Sequence, residues 1–420
     1  MKRFDVIVLG AGMVGISTAI ALQERGRSVA LVDRRGPAQE TSYGNAGLIQ
    51  AEAVMPYAFP RNLGTVLQVL LGRRTDARVA WRALHHTAPW LLRYALASAP
   101  EAVMRTARAN APLVVMALPA HEALSERAGV SHLWRRKGYL RLFRSARHME
   151  SAAAEQAQVG ERFGIRATVM GSTALAEREP HLRADLPGAI HYEDPVHVMD
   201  PGDLGAHYAA LFEAEGGTIF RADAMALVAR DRGFVIDCAG MDVRAKEAVV
   251  ALGPWSGDFL RRWHTKVPLG VKRGYHLHLA AQGNAVLDHV CVDEEHGFVL
   301  APNKRGIRLT TGAEFDRRDA PPTPHQLRAV EPVARDLFPL AEAVGSPWLG
   351  ARPCLPDLLP IIGPIPGAQG LWANFGHHHL GFTLGPATGR LLAEMLTDEE
   401  AFTDPSPYRI ERFGARVRSP

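Results

Sequence analysis

Three glycines and one acid open the chain in an order that suits phosphate and ribose recognition. Gly10, Gly12 and Gly15 follow the apolar run Val6-Ile7-Val8-Leu9, and Asp33 follows a second run, Ser28 to Val32. A strand leading through glycines into a helix aims unpaired backbone N–H groups and the positive end of the helix dipole at one spot, which suits a pyrophosphate. Gly10 permits the turn, Gly12 admits phosphates to the backbone, and Gly15 lets the helix beginning near Met13 lie against the strand. A carboxylate about 20 residues beyond the glycines accepts hydrogen bonds from a ribose hydroxyl and repels a 2′-phosphate. Strand, glycines, helix, strand and acid in this order separate a dinucleotide site from a glycine-rich turn that binds nothing.

Two other groups of residues invite chemistry. His377, His378 and His379, with His276 and His278 upstream, raise a metal site. Three adjacent side chains do not easily converge on one ion, and no carboxylate or cysteine pattern completes a ligand set, so no metal is expected. Cys238, Cys291 and Cys354 form no CxxC pair and point to a reducing compartment.

The elements that position these residues follow from pattern. A chain of 420 residues with ordinary apolar content can bury a large core and is expected to form two domains. Its net charge is only +4, but residues 61 to 108 carry eight arginines against Asp76 and Glu101. No nucleic-acid motif accompanies them, so nucleic acid is not expected and an anionic membrane surface is the better partner. Within that stretch Trp81, Leu84, Ala88, Leu91, Leu92 and Ala95 recur at helical spacing, with Pro89 expected to divide two helices. A helix packed on its own domain and an interfacial helix both fit this pattern. Nothing is long and apolar enough to span a bilayer. Lys2-Arg3 before an apolar stretch resembles an export signal, but Asp5 and the glycines interrupt it, so the expected location is the cytoplasm or the inner face of its membrane.

Further along, Tyr139 to Phe143 reads as a strand, and Asp203 to Ala214 as a helix stopped by Gly216-Gly217 before the strand Thr218 to Phe220. Phe234 to Ile236 and Ala248 to Leu252 read as later strands of the first sheet. Tyr275 to Leu279 and Gly306 to Thr310 have the alternating character of an antiparallel sheet, and a helix follows from Thr388 to Leu396.

These strings together resemble the FAD-dependent amino acid oxidase and dehydrogenase family, over essentially the whole chain. The resemblance rests on the opening glycines with Asp33, on Thr41 to Gly47, on Ala251 to Ser256 and on Val271 to Tyr275. It is most specific in Gly350 to Asp357, Pro360 to Gly363 and Gly376 to Thr383, which are similar to the bacterial D-amino acid dehydrogenase branch. The fold this implies is α/β: an FAD-binding Rossmann-type domain (1–55, 195–265 and 345–420) and a second α+β substrate domain on an antiparallel sheet (56–194 and 266–344).

The resemblance further implies roles. Gly10, Gly12 and Gly15 would meet the FAD pyrophosphate, Asp33 with Arg34 the adenosine end, and Ser42, Asn45, Ala46 and Gly47 the flavin. Gly253 would make a second backbone approach, and Gly381, Phe382 and Thr383 would open a helix facing the pyrimidine end of the ring, where its dipole stabilises developing negative charge. The implied reaction is hydride transfer from Cα of a D-amino acid to flavin N5, with hydrolysis of the imine to a 2-oxo acid and ammonia and delivery of the electrons to a quinone or other respiratory acceptor. Secondary amino acids of the hydroxyproline or sarcosine type, or a flavin-bound electron-transfer subunit, are the alternatives. Hydride transfer needs a fixed cation for the substrate carboxylate; Arg352 suits it through two parallel hydrogen bonds, an interdomain ion pair being the other reading. Tyr275 is a candidate donor from the opposite wall and His378 the histidine expected beside flavin or substrate. The triple histidine and the basic pair Lys272-Arg273 depart from the usual pattern of this branch, which leaves substrate preference open.

Overall fold

Val6 to Leu9 are wholly buried because parallel strands flank them on both sides, the setting in which a strand reads as unbroken apolar sequence. In the computed structural model, which describes residues 1–414, Lys2–Leu9 pairs in parallel with Val29–Asp33 and Met241–Val250. Thr218–Arg221 extends the sheet in parallel beyond Val29–Asp33. On its other side Met241–Val250 pairs antiparallel with Gly233–Cys238 and, through its last three residues, parallel with Leu371–Phe375. The helices Met13–Gln23, Pro201–Ala214 and Gly381–Leu396 share one core with the apolar side chains of this sheet.

The turn between the first strand and first helix depends on two glycines. Gly10 takes φ +100°, and a Cβ on Gly15 would lie 1.8 Å from the Gly10 carbonyl oxygen. Only with both side chains absent does the helix begin directly over the strand end.

A second sheet of ten strands is mainly antiparallel. Gly270–Ala281 pairs antiparallel with Gly306–Thr310 and with Leu340–Cys354; farther along, Tyr139–Phe143 pairs antiparallel with Gly188–Tyr192. Leu340–Cys354 lies wholly in this sheet, so the boundary expected at residue 345 falls inside a strand. In Gly270–Ala281 side chains alternate between faces. Tyr275, Leu277 and Leu279 pack with Leu327 and Val330 of the helix His325–Leu337, while Lys272 and Gly274 border the cavity described below.

Residues 56–128 are largely helical as expected, in Leu63–Leu70, Leu84–Ala97 and Pro100–Arg127. Pro89 does not divide a helix. Leu84–Ala97 runs through it, because Pro89 sits near the start, where its missing N–H forfeits a single bond to the His85 carbonyl. The apolar stripe also differs: Trp90 and Tyr94 face inward with Phe315 and Cys354, leaving Trp81 and Leu92 exposed. Two aromatics bury more apolar area than the leucines of the expected stripe, and they set the rotation of the helix. Gly381–Leu396 starts seven residues before the position that apolar spacing suggested.

Candidate active site

Both sheets contribute to a cavity of about 1000 Å³. At one end lie Gly10, Gly12, Asp33 and Arg34; at the other, Lys272, Gly274, Arg352, His378 and His379. Ser42, Asn45, Ala46, Gly253, Gly381 and Phe382 line it as well. Gly15, Gly47 and Thr383 stand behind the lining. Gly15 backs onto Gly10, and Gly47 onto the Val198 carbonyl. The Thr383 hydroxyl donates to the Leu48 carbonyl (3.1 Å) and accepts from Gln50 N–H (3.2 Å), fixing the helix start to the chain after Gly47.

The dinucleotide end is built of oriented donors and one carboxylate. Asp33 Oδ2 accepts from Ala11 N–H (2.9 Å), and Oδ1 accepts from the amides of Arg35 (2.7 Å) and Gly36 (3.0 Å). A carboxylate has about four acceptor sites, so capacity remains for a ribose hydroxyl. Arg34 pairs with Glu40 at 2.9 Å and lies 4.3 Å over the Trp255 ring. Neither the helix at Met13 nor the helix at Gly381 has a cap from its own N-cap side chain; Ser42 Oγ instead accepts from Met13 N–H (2.9 Å). A Cβ on Gly12 would find only Ser42 Oγ at 3.4 Å, so the protein itself leaves open the space in front of that amide. These features fit a dinucleotide whose phosphates take the first helix start and whose ring system lies toward the second.

At the far end Arg352 is a cation without an acid. Nη1 donates to the Gly312 carbonyl (2.8 Å) and Nη2 to that of Thr311 (3.1 Å), leaving three of the five guanidinium N–H donors uncommitted. Among the described residues it enters no ion pair, which removes the interdomain salt bridge considered from sequence. Burial draws its pKa down, so the site holds this charge at a cost that an anionic ligand would offset.

Tyr275 is the exception among the expected residues. Its hydroxyl donates to Glu314 Oε2 (3.4 Å) and accepts from Thr323 N–H (2.6 Å) and Arg273 Nη2 (3.2 Å). Although the residue borders the cavity, alternation along the strand turns its ring to the helix-covered face, and the hydroxyl is tied into a buried Arg273–Glu314 pair. The donor opposite Arg352 is therefore not Tyr275.

The three histidines separate. His377 Nε2 meets Thr388 Oγ1 at 3.0 Å inside the fold. His378 is left-handed at φ +45°, a strained conformation for a side-chain-bearing residue, and its Nδ1 lies 2.9 Å from that of His379. One ring must donate and the other accept, which suits two neutral imidazoles. Burial, reinforced at His379 by Arg352 and Lys272, lowers the His379 pKa to about 3 and that of His378 well below its ordinary value. No group of three or more potential metal ligands occurs among the described residues.

Sequence reasoning passed over Gly274, Arg308 and Trp348 and left Lys272 without a role. A Cβ on Gly274 would lie 2.5 Å from Arg352 Nη2. Arg308, buried, donates to the carbonyls of Tyr43 (3.1 Å) and Asn45 and so holds the 41–47 loop against the second sheet. The Trp348 indole stacks on His276 (4.9 Å, 16°) and occupies the space a side chain on Gly44 would need. Strict alternation over 272–279 was the signal available for Lys272, Gly274 and Tyr275; nothing local marked Arg308 or Trp348.

A parallel glycine-turn sheet joined to an antiparallel sheet, with one cavity between an acid-tipped nucleotide turn and an unpaired arginine, defines a dinucleotide-dependent α/β enzyme. The family model described as FAD dependent oxidoreductase matches residues 5–395, and the chain belongs to that family. It is an FAD-dependent oxidoreductase. A protein of Bradyrhizobium diazoefficiens named D-amino-acid oxidase is 28% identical over 97% of this chain and 98% of its own length. One of Ralstonia nicotianae named D-amino acid dehydrogenase 2 is 32% identical over 97% of this chain and all of its own. The glycine oxidase of Geobacillus kaustophilus shares the fold, with a TM-score of 0.75 at 21% identity over 98% and 99% of the two chains.

Proposed function

We propose that the chain oxidises the C–N bond of D-amino acids to imines, which water converts to 2-oxo acids and ammonia, and that the electrons leave for a quinone or similar carrier. The observation that carries the amino-acid reading is Arg352, a half-buried guanidinium in the cavity with three spare donors and no acidic partner among the described residues. Support for the D configuration comes from the names of the two relatives matched over nearly their full lengths.

In this reading Gly10, Gly12 and Asp33 hold the nucleotide half of FAD, with Arg34 beside it and Gly15 shaping the turn; Ser42, which accepts from Met13 N–H at the first helix start, stands at that end and not along the flavin as expected. Asn45, Ala46, Gly253, Gly381 and Phe382 border the flavin half, and Gly47 and Thr383 brace that wall. Bound FAD supplies the two-electron acceptor for a hydride leaving Cα. Arg352 fixes the substrate carboxylate and with it the direction of the Cα–H bond. His378 and His379, kept neutral by burial, add no positive charge that would repel the substrate amine.

The helices Leu63–Leu70 and Leu84–Ala97 support the carrier reading. They share a small core with Val79 and Phe315 yet turn Leu63, Leu67, Leu92 and Leu96 outward, in a stretch of chain that also exposes Arg61, Arg73 and Arg93. An apolar surface with a basic surround suits the headgroup region of an anionic membrane, where quinones reside. No helix among the described residues is long and apolar enough to cross a membrane.

Anaerobic mixing of the holoenzyme with paired D- and L-amino acids tests the reading. D-enantiomers should bleach the flavin absorbance, and a soluble quinone should restore it faster than air does. Bleaching by none of the D-amino acids would overturn the amino-acid reading, and stoichiometric peroxide at full turnover in air would overturn the carrier.

A further inference from the structure

Lys272 stands directly opposite Arg352 in the antiparallel register of the two strands, on the face that borders the cavity. Like charges at such a position repel, and among the described residues neither cation has an acid within ion-pair distance. Of the acids that line the cavity, Asp76 pairs with Arg74 at 2.8 Å and Glu294 with Arg141 at 2.7 Å, while Glu52 accepts from Gln50 Nε2 at 3.1 Å and burial pushes its pKa up to about 7, toward the neutral acid.

The two side chains diverge along the strand. The guanidinium lies over Gly274. The Lys272 ammonium leans the other way, 4.2 Å from the Tyr94 ring and 5.9 Å from those of Trp90 and Phe315, and Trp90 itself packs on Gly270. The two cationic heads thus lean in opposite directions along the strand, Arg352 toward Gly274 and Lys272 toward the aromatic rings beside Gly270. Lys272 Nζ donates one proton to Tyr94 Oη (3.1 Å), whose own proton goes to the Tyr57 carbonyl. Two ammonium protons are left, aimed by an aromatic box that holds the side chain in place.

We propose that Lys272 binds the far end of the substrate, so that the preferred substrates are amino acids carrying a second carboxylate on the side chain, of the aspartate and glutamate kind. This rests on the amino-acid reading above: Arg352 takes the α-carboxylate and Lys272 the distal one.

D-glutamate and D-glutamine have nearly the same shape and differ at that end, a carboxylate against an uncharged amide. In anaerobic flavin reduction the holoenzyme should favour D-glutamate in kcat/KM by about tenfold or more, and Lys272→Met should lower that ratio by about 10- to 100-fold, the range set by one hydrogen bond to a charged group. A wild-type enzyme that uses D-glutamine as well as D-glutamate, or a variant that loses both equally, overturns the proposal. Dissociation constants of glutarate and butyrate, read from the flavin spectrum, give a measure independent of turnover. Their ratio should collapse in Lys272→Met, and an unchanged ratio counts against Lys272. If neutral D-amino acids bleach the flavin and acidic ones do not, only this assignment falls. If no D-amino acid bleaches it, the amino-acid reading falls, and glutarate binding still decides Lys272.

Discussion

The Arg352 guanidinium lies across Gly274, where a Cβ would come within 2.5 Å of Nη2 and 2.9 Å of Cζ. A methyl group there must displace the guanidinium, since the strand is paired with Gly350 on one side and, at Arg273, with Glu314 on the other. Gly274→Ala should therefore raise the substrate KM about 10- to 100-fold with flavin content intact, and Arg352→Ala should do the same or more. Steady-state kinetics beside the flavin-to-protein absorbance ratio checks both. Loss of flavin in Arg352→Ala would show that the arginine serves the cofactor instead.

Gly12 and Gly15 should fail in different ways. A side chain on Gly15 runs into the Gly10 carbonyl at 1.8 Å, so Gly15→Val should not give soluble folded protein. A side chain on Gly12 meets only Ser42 Oγ at 3.4 Å, so Gly12→Val should fold but purify colourless. Circular dichroism and flavin absorbance separate the two, and a yellow Gly12→Val would refute the phosphate assignment.

Tyr275→Phe should act on stability. Removing the hydroxyl strands the Thr323 amide and one Arg273 donor in the core, a loss of about 1–3 kcal/mol. The melting temperature should fall by a few degrees while KM stays near wild type. A KM raised tenfold at unchanged melting temperature would return Tyr275 to the substrate.

Acid should unfold the protein early. Burial lowers the pKa of His121 to about 4 and those of His197, His377 and His379 to about 3, against about 6.5 in the unfolded chain. Below pH 6.5 the unfolded state takes up protons that the folded state refuses, so stability is complete above that pH and is lost as pH falls toward 4. Each buried histidine contributes up to about 1.4 kcal/mol per pH unit to the slope. Thermal melts should be nearly flat from pH 7 to 8 and drop steeply from 6.5 to 5. A melting temperature that rises on acidification over that range contradicts these environments.

Leu63 is 83% exposed and Leu96 70%, in a region of high positive charge. Vesicles containing anionic lipid should sediment the protein at low salt, and Leu67→Glu with Leu96→Glu should abolish this without changing turnover with a soluble acceptor. Equal binding to neutral vesicles, or none to either, would remove the membrane reading.

Local backbone geometry was legible in the chain itself. Gly10, Gly12 and Gly15 with Asp33 announced their turn because a strand, a tight bend and a helix start need those residues within a few positions of one another. Arg352 stood out by type, and its position among glycine-rich turns pointed to a ligand. What sequence could not supply was direction. Tyr275 looked like a site residue and Lys272 carried no role, yet the facing of one strand sent the first into a buried network and the second to the cavity wall.

Helix rotation was lost for a similar reason: Trp90 and Tyr94 won the inward face of Leu84–Ala97 only because Phe315 and Cys354, more than 200 positions away, complete their pocket. Spacing thus determined that this chain would build a strand, a glycine turn, a helix and a second strand ending on Asp33, and residue type alone singled out Arg352. Tertiary structure alone decided which cations share the cavity, because cross-strand register joins Lys272 to Arg352 across 80 residues of chain, and no local pattern records that pairing.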